Sequence, residues 1–191
     1  MANKTDRIAL IGFMGAGKTS VARALTQLSG MKFIDMDTEI EKMAQMTISE
    51  IFAKYGEAHF RQLEHQFCRQ IPHMGNVIIA TGGGCVVDDR NRAIIKENAL
   101  VVYLKALPEI IYGRIKDDAS RPLLFGEDKL VTIRAMIAER EPLYVQAMDF
   151  VVDTDGIDVA ECGLAVWNAL KSIPIIVHNP FYQTQVPFQC E

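Results

Sequence analysis

Five apolar runs of strand length, at 8–11, 32–34, 77–80, 100–104 and 150–152, alternate along the chain with segments of helical period. The helical patterns fall at 18–28, 38–43, 48–70, 89–96, 108–116, 129–147 and 158–170. Few topologies satisfy such alternation. Parallel strands need long crossovers, right-handed crossovers place helices on both faces, and strands covered on both faces read as continuous apolar runs. The pattern therefore predicts a three-layer α/β/α sandwich around a five-stranded parallel sheet. With 191 residues the chain has the length for one such domain, expected over 1–172.

Two segments depart from the alternation. Residues 117–128, DDASRPLLFGED, are polar, carry Pro122 and Gly126 without a period, and read as a mobile loop. From residue 173 onward, Pro174, Pro180 and Pro187 exclude a continuous helix. An edge strand at 175–177, a disordered tail and a partner-docking segment stay open there. The net charge of −4 argues against nucleic-acid binding, which needs a basic face. No uncharged apolar stretch approaches the roughly 18 residues of a membrane span, and the polar start MANKTDR has no signal-peptide pattern, so neither membrane nor leader is expected. Cys68, Cys85, Cys162 and Cys190 form no CxxC pair; reduced, mostly buried thiols in a cytoplasm are expected.

Directly behind the first apolar run stands LIGFMGAGKTS, with the spacing Gly12-x4-Gly17-Lys18-Thr19. A strand ending in such a loop, followed by a helix, turns backbone N–H groups inward around an anion, and the helix N-terminus adds favourable potential. Gly12, Gly15, Ala16, Gly17, Lys18, Thr19 and Ser20 are the expected nucleotide-binding residues of this P-loop. Lys18 would reach the terminal phosphates and the Thr19 hydroxyl would ligate Mg²⁺. GTPases, ATPase motors, nucleotide kinases and small-metabolite kinases all use this loop. The chain is too short for motor domains and lacks an NKxD guanine-reading tetrapeptide, which moves the weight to small kinases.

The acceptor side is read from four further stretches. In FIDMDTEI, Asp35 falls at the carboxyl end of the second strand, where ligands collect in open parallel sheets, and suits the magnesium shell. Asp37 is either the N-cap of the next helix, with Thr38 and Glu41 as a capping box, or the group that accepts a hydrogen bond from an alcohol and takes its proton. In GEAHFRQLEHQF, Phe60, Leu63 and Phe67 share a core face, while Arg61 and Glu64 read by spacing as an ordinary surface pair. His59, His65, His73 and His178 show no ligand spacing and read as solvated. The strand at 77–80 ends in Thr81-Gly82-Gly83-Gly84, either a loose turn or a place where backbone closely approaches a ligand. Arg114, Arg121 and Arg140 are individually weak signals; for Arg140, within ERE, local ion pairing competes.

Taken together, GFMGAGKTS, FIDMDTEIE, ISEIF…GE..FR..E, TGGG, SRPLL and EREPLY, in this order over about 6–170, resemble the shikimate kinase family of small P-loop kinases. The resemblance implies a P-loop NTPase fold with a mobile lid at about 117–127 and a shikimate-binding helical segment at about 37–70. It implies an ATP- and Mg²⁺-dependent kinase that phosphorylates the 3-hydroxyl of shikimate on the way to chorismate and aromatic amino acids. Carried over residue by residue, it makes Asp37 the hydroxyl ligand and base and puts Arg61 and Arg140 on the carboxylate. Gly82, Gly83 and Gly84 fall beside the ring hydroxyls, Arg121 on the transferring phosphoryl group, Arg114 beside adenine, and Thr19 and Asp35 on the metal. One departure stands out: DTDGIDVAE carries no arginine where many relatives supply an adenine-side contact. A monomer is expected, with oligomeric state and the 173–191 tail left open. The rivals are a kinase for another small acid such as gluconate, and a nucleotide-dependent binding protein without transfer chemistry.

Overall fold

The computed structural model describes residues 4–116 and 128–172. β1 (Arg7–Ile11) is buried along its whole length and forms the centre of the sheet. Around it, β2 (Lys32–Asp35), β3 (Val77–Ala80), β4 (Leu100–Lys105) and β5 (Phe150–Asp153) complete five strands in the order β2-β3-β1-β4-β5. Every pairing is parallel; Leu10, for instance, faces Ala80 on one side and Val102 on the other. The strands lie where the apolar runs predict them, to within one residue at each end.

Seven long helices connect and cover the strands: α1 (Lys18–Ser29), α2 (Met36–Ala44), α3 (Ile48–Cys68), α4 (Asp89–Asn98), α5 (Pro108–Ile115), α6 (Lys129–Ala147) and α7 (Val159–Ser172). Strand residues alternate between the two faces. Ala9, Ile11, Ile79, Val101 and Tyr103 pack against Met36, Ile40, Leu63, Ile95 and Tyr144 from α2, α3, α4 and α6. Their neighbours Ile8, Leu10, Ile78, Val102 and Leu104 pack on the opposite side against Val21 and Leu25 of α1 and Val166 and Leu170 of α7. Each large side chain fully buried in this way contributes roughly 1.5–3 kcal/mol over exposure. The three-layer expectation holds.

Three local differences bear on the site. α2 starts at Met36, two residues earlier than its apolar period suggests, because Asp35 rather than Asp37 is the N-cap. α3 is not one straight helix to residue 70: Gly56, at φ +77 and ψ 175, breaks it into two arms, and it ends at Cys68. The first arm starts with a full capping box, Thr47 with Glu50. At the opposite end of the sheet from the glycine loop, the buried Arg7 guanidinium donates to Met74 O, Asn98 O and Pro72 O at 2.8, 3.0 and 2.9 Å, tying β1 to two connections. The predicted loop lies outside the described residues apart from Asp128, whose side chain accepts from Val131 N and caps α6. Arg121, His178, Cys190 and the tail from residue 173, with its open alternatives of edge strand at 175–177, disordered tail or docking segment, also lie outside them.

Candidate active site

The loop leaving β1 is built to surround an anion. Gly12, Gly15 and Gly17 all have positive φ, and Gly17, the N-cap of α1, is left-handed at φ +91 and brings no side-chain cap to the first-turn amides. Those N–H groups face a cavity of about 420 Å³ lined by Gly15 to Thr19. Lys18 is buried, and its Nζ donates to Gly12 O at 2.8 Å and Phe13 O at 2.9 Å, holding the loop around its own cation. The geometry matches a phosphate cradle.

Beside it, Thr19 Oγ1 donates to Asp35 Oδ2 at 2.8 Å. The second carboxylate oxygen of Asp35 accepts from the amides of Asp37 and Thr38, at 3.1 and 3.3 Å. One residue therefore caps α2 and faces the loop. The capping box expected from Thr38 and Glu41 does not form; Glu41 Oε1 instead accepts from Ile48 N at 2.9 Å. A hydroxyl and a carboxylate side by side are hard oxygen donors of the kind Mg²⁺ prefers. Among the described residues no group of three or more His, Cys, Asp or Glu could hold a metal ion.

A second cavity of about 460 Å³ lies against the first. Arg61, Glu64 and Arg140 line it together with Gly82, Gly83 and Gly84, and the rings of Phe52 and Phe60 close one side. Arg61 Nη1 reaches Glu64 Oε2 at 2.6 Å, and Nη2 reaches Glu57 Oε1 at 2.7 Å. The surface-pair expectation for Arg61 and Glu64 fails: Glu64 is completely buried. Burial pushes its carboxyl up to about 7, against the pull of the neighbouring Arg61. Arg140 is also buried, its guanidinium stacked 5.7 Å over the ring of Phe13. Arg140 Nη1 and Glu64 Oε1 have no hydrogen-bond partner among the described residues. A buried cation with an unused N–H, facing a cavity beside a second arginine, is suited to a carboxylate.

Met14, Asp37 and Gly83 border both cavities. Gly83 must be glycine, since a Cβ there would stand 2.9 Å from the Met14 amide nitrogen. The glycine run after β3 thus lies in van der Waals contact with the phosphate loop, and Asp37 stands where the two spaces join.

A family model described as shikimate kinase matches residues 14–170. The chain belongs to the shikimate kinase family. Among its relatives, the shikimate kinase of Thermodesulfovibrio yellowstonii is 42% identical over 154 residues, covering 81% of this chain and 88% of that one. That of Neisseria meningitidis serogroup C is 38% identical over 173 residues, covering 91% and 99%. The structure of a shikimate kinase from Acinetobacter baumannii in complex with shikimate superposes with a TM-score of 0.85 at 34% identity, covering 88% of this chain and 94% of that one.

Of the residues expected from the shikimate kinase resemblance, the structure brings Asp37, Arg61, Gly82, Gly83, Gly84 and Arg140 to one cavity and Gly15, Ala16, Gly17, Lys18, Thr19 and Ser20 with Asp35 to the other, while Gly12 stands behind the loop and accepts from Lys18 Nζ. Arg114 borders the first cavity, where its guanidinium donates to Gly15 O and to Thr154 O at 3.3 and 3.0 Å. Arg121 is outside the described residues. Sequence reasoning missed Glu64 and Phe52 as cavity walls, read Phe60 only as core, and overlooked Phe13, Met14 and Thr154. For Glu64 a signal existed in its three-residue spacing from Arg61. Phe13 and Met14 occupy the unconstrained positions of the glycine loop, which the motif does not specify. His65, expected in solvent, is half-buried with Nδ1 2.8 Å from Asn91 Oδ1.

Proposed function

We propose that the chain transfers the γ-phosphoryl group of ATP to the 3-hydroxyl of shikimate, giving shikimate 3-phosphate and ADP. The observation that carries this reading is the meeting of two cavities at Asp37, one walled by phosphate-loop amides and the other by two arginines. Arg61 and Arg140 bind the acceptor's carboxylate, where planar guanidinium groups match a planar anion. Gly82, Gly83 and Gly84 face the ring hydroxyls. Asp37 accepts the hydrogen bond of the reacting hydroxyl, orients it toward the nucleotide cavity and takes its proton as the bond forms.

On the nucleotide side, Gly12, Gly15, Ala16, Gly17 and Ser20 cradle the phosphates, Lys18 offsets charge at the transferring group, and Arg114 lies beside the adenine. Thr19 and Asp35 would hold Mg²⁺, which would supply neutralisation of phosphate charge. Arg121 keeps the charge-stabilising role implied by the family resemblance. The three described cysteines are buried and free, which supports a reducing cytoplasm, and no described helix is long and apolar enough to cross a membrane.

The test is a coupled assay for ADP release with shikimate, gluconate and a nucleoside monophosphate in parallel. Shikimate alone is expected to stimulate turnover. Asp37→Ala and Arg61→Ala should each lower that turnover by orders of magnitude while ATP binding survives. Stimulation by gluconate, or ATP binding with no acceptor-dependent turnover, would overturn the reading.

A further inference from the structure

Tyr144 is buried in the core beneath the acceptor cavity, and its hydroxyl donates to Gly83 O at 2.6 Å. Its ring stacks on Tyr103 of β4, with centroids 5.0 Å apart and planes 18° from parallel. On α6 it follows Arg140 by four residues, one helical turn, so the two side chains share a face. Gly83 is therefore held from two sides: by the Met14 backbone of the phosphate loop and by the Tyr144 phenol. Burial raises the phenol well above its ordinary pKa, with the Arg140 charge and a hydrogen bond from the Arg140 guanidinium acting against it, so it stays a donor at working pH and ties the clamp to the floor directly.

A trans peptide points its C=O and N–H in opposite directions. With Gly83 O committed to Tyr144 in the core, the N–H of Gly84 turns away from that core, toward the cavity that Gly84 lines. We infer that Tyr144 is a positioning residue for the acceptor: its hydroxyl is a strut that fixes the glycine floor at a set distance from Arg140 on the same helix. Carboxylate clamp and floor amides then meet a rigid hydroxy acid together. Without the strut the Gly83–Gly84 peptide can rotate and the floor loses its register with the clamp.

The inference rests on the second cavity being the shikimate site. The test is Tyr144→Phe, which keeps the stacked ring and removes one oxygen, compared with the wild-type chain in steady-state kinetics with shikimate and ATP. The KM for shikimate is expected to rise about tenfold or more, since the one oxygen serves both Gly83 O and the Arg140 side chain, with the KM for ATP changed less than about twofold. Tyr103→Leu, which removes the stacking partner and leaves the hydroxyl, should lower Tm with a smaller change in shikimate KM. A Tyr144→Phe enzyme that only melts earlier at unchanged shikimate KM would overturn the strut, as would equal rises in both KM values. A wild-type chain indifferent to shikimate would overturn the acceptor reading itself.

Discussion

Arg61 Nη1 lies 2.6 Å from Glu64 Oε2, and the carboxylate of that pair is completely closed off from solvent. Glu64 also faces Asp37 and Arg140, and burial with the Asp37 charge raises its pKa from 4.5 to about 7 against both arginines. The folded chain therefore binds this proton more tightly than the unfolded chain. Its stabilising contribution is complete below about 4.5 and is lost as pH rises through about 7. The Tm difference between wild type and Glu64→Gln should move in favour of the glutamine form between pH 5 and 8, as read by scanning fluorimetry. An acceptor carboxylate placed beside Glu64 would raise its pKa further. Titration calorimetry of shikimate near pH 7 in buffers of different ionisation enthalpy should then record proton uptake.

Gly83→Ala tests the contact between the two loops. A Cβ at this position would stand 2.9 Å from Met14 N, so backbone on one side must shift. Overpacking of roughly 1–3 kcal/mol corresponds to about a five- to 150-fold loss. That loss should appear in kcat/KM for both substrates, because the displaced backbone belongs to the phosphate loop. An effect confined to the acceptor would show that the loop moves without cost.

Asp35→Asn separates the residue's two tasks. Asparagine caps helices as well as aspartate, so α2 should keep its start and Tm should change little. The charge facing Thr19 is lost, and the Mg²⁺ concentration for half-maximal activity should rise about tenfold or more in a metal titration.

Arg7→Leu probes stability away from the chemistry. It leaves the carbonyls of Met74, Asn98 and Pro72 without their donor in a buried setting. The expected cost is roughly 2–4 kcal/mol, or about 5–15 °C in Tm, with KM values of the folded enzyme unchanged.

The layered fold was legible because period and run length carry it: 8–11 and 77–80 are continuous apolar runs, as strands covered on both faces must be. Nearest-neighbour chemistry in the site was legible where a motif holds it, as in the glycine loop. Asp35 and Asp37 were harder, since both residue types favour caps, and only the observed turn shows which one bonds the α2 amides and which stands at the cavity junction. Arg61 and Glu64 have the spacing of a solvated pair; the full burial of Glu64 and the partial burial of Arg61 come with the glycine run pressed over them, which no helical period reports. The Tyr144–Gly83 bond joins residues 61 apart in the chain and leaves no local trace.

β1 and β3 are hydrogen-bonded neighbours at the heart of the sheet, although some 70 residues of chain separate them. The loops that leave their ends therefore start one strand spacing apart, about 4.8 Å. The two cavities that meet at Asp37 owe their closeness to the sheet. Side chains on the second pocket's rim can change which molecule lodges there, while the gap the phosphoryl group must cross stays set by the hydrogen-bonded backbone beneath.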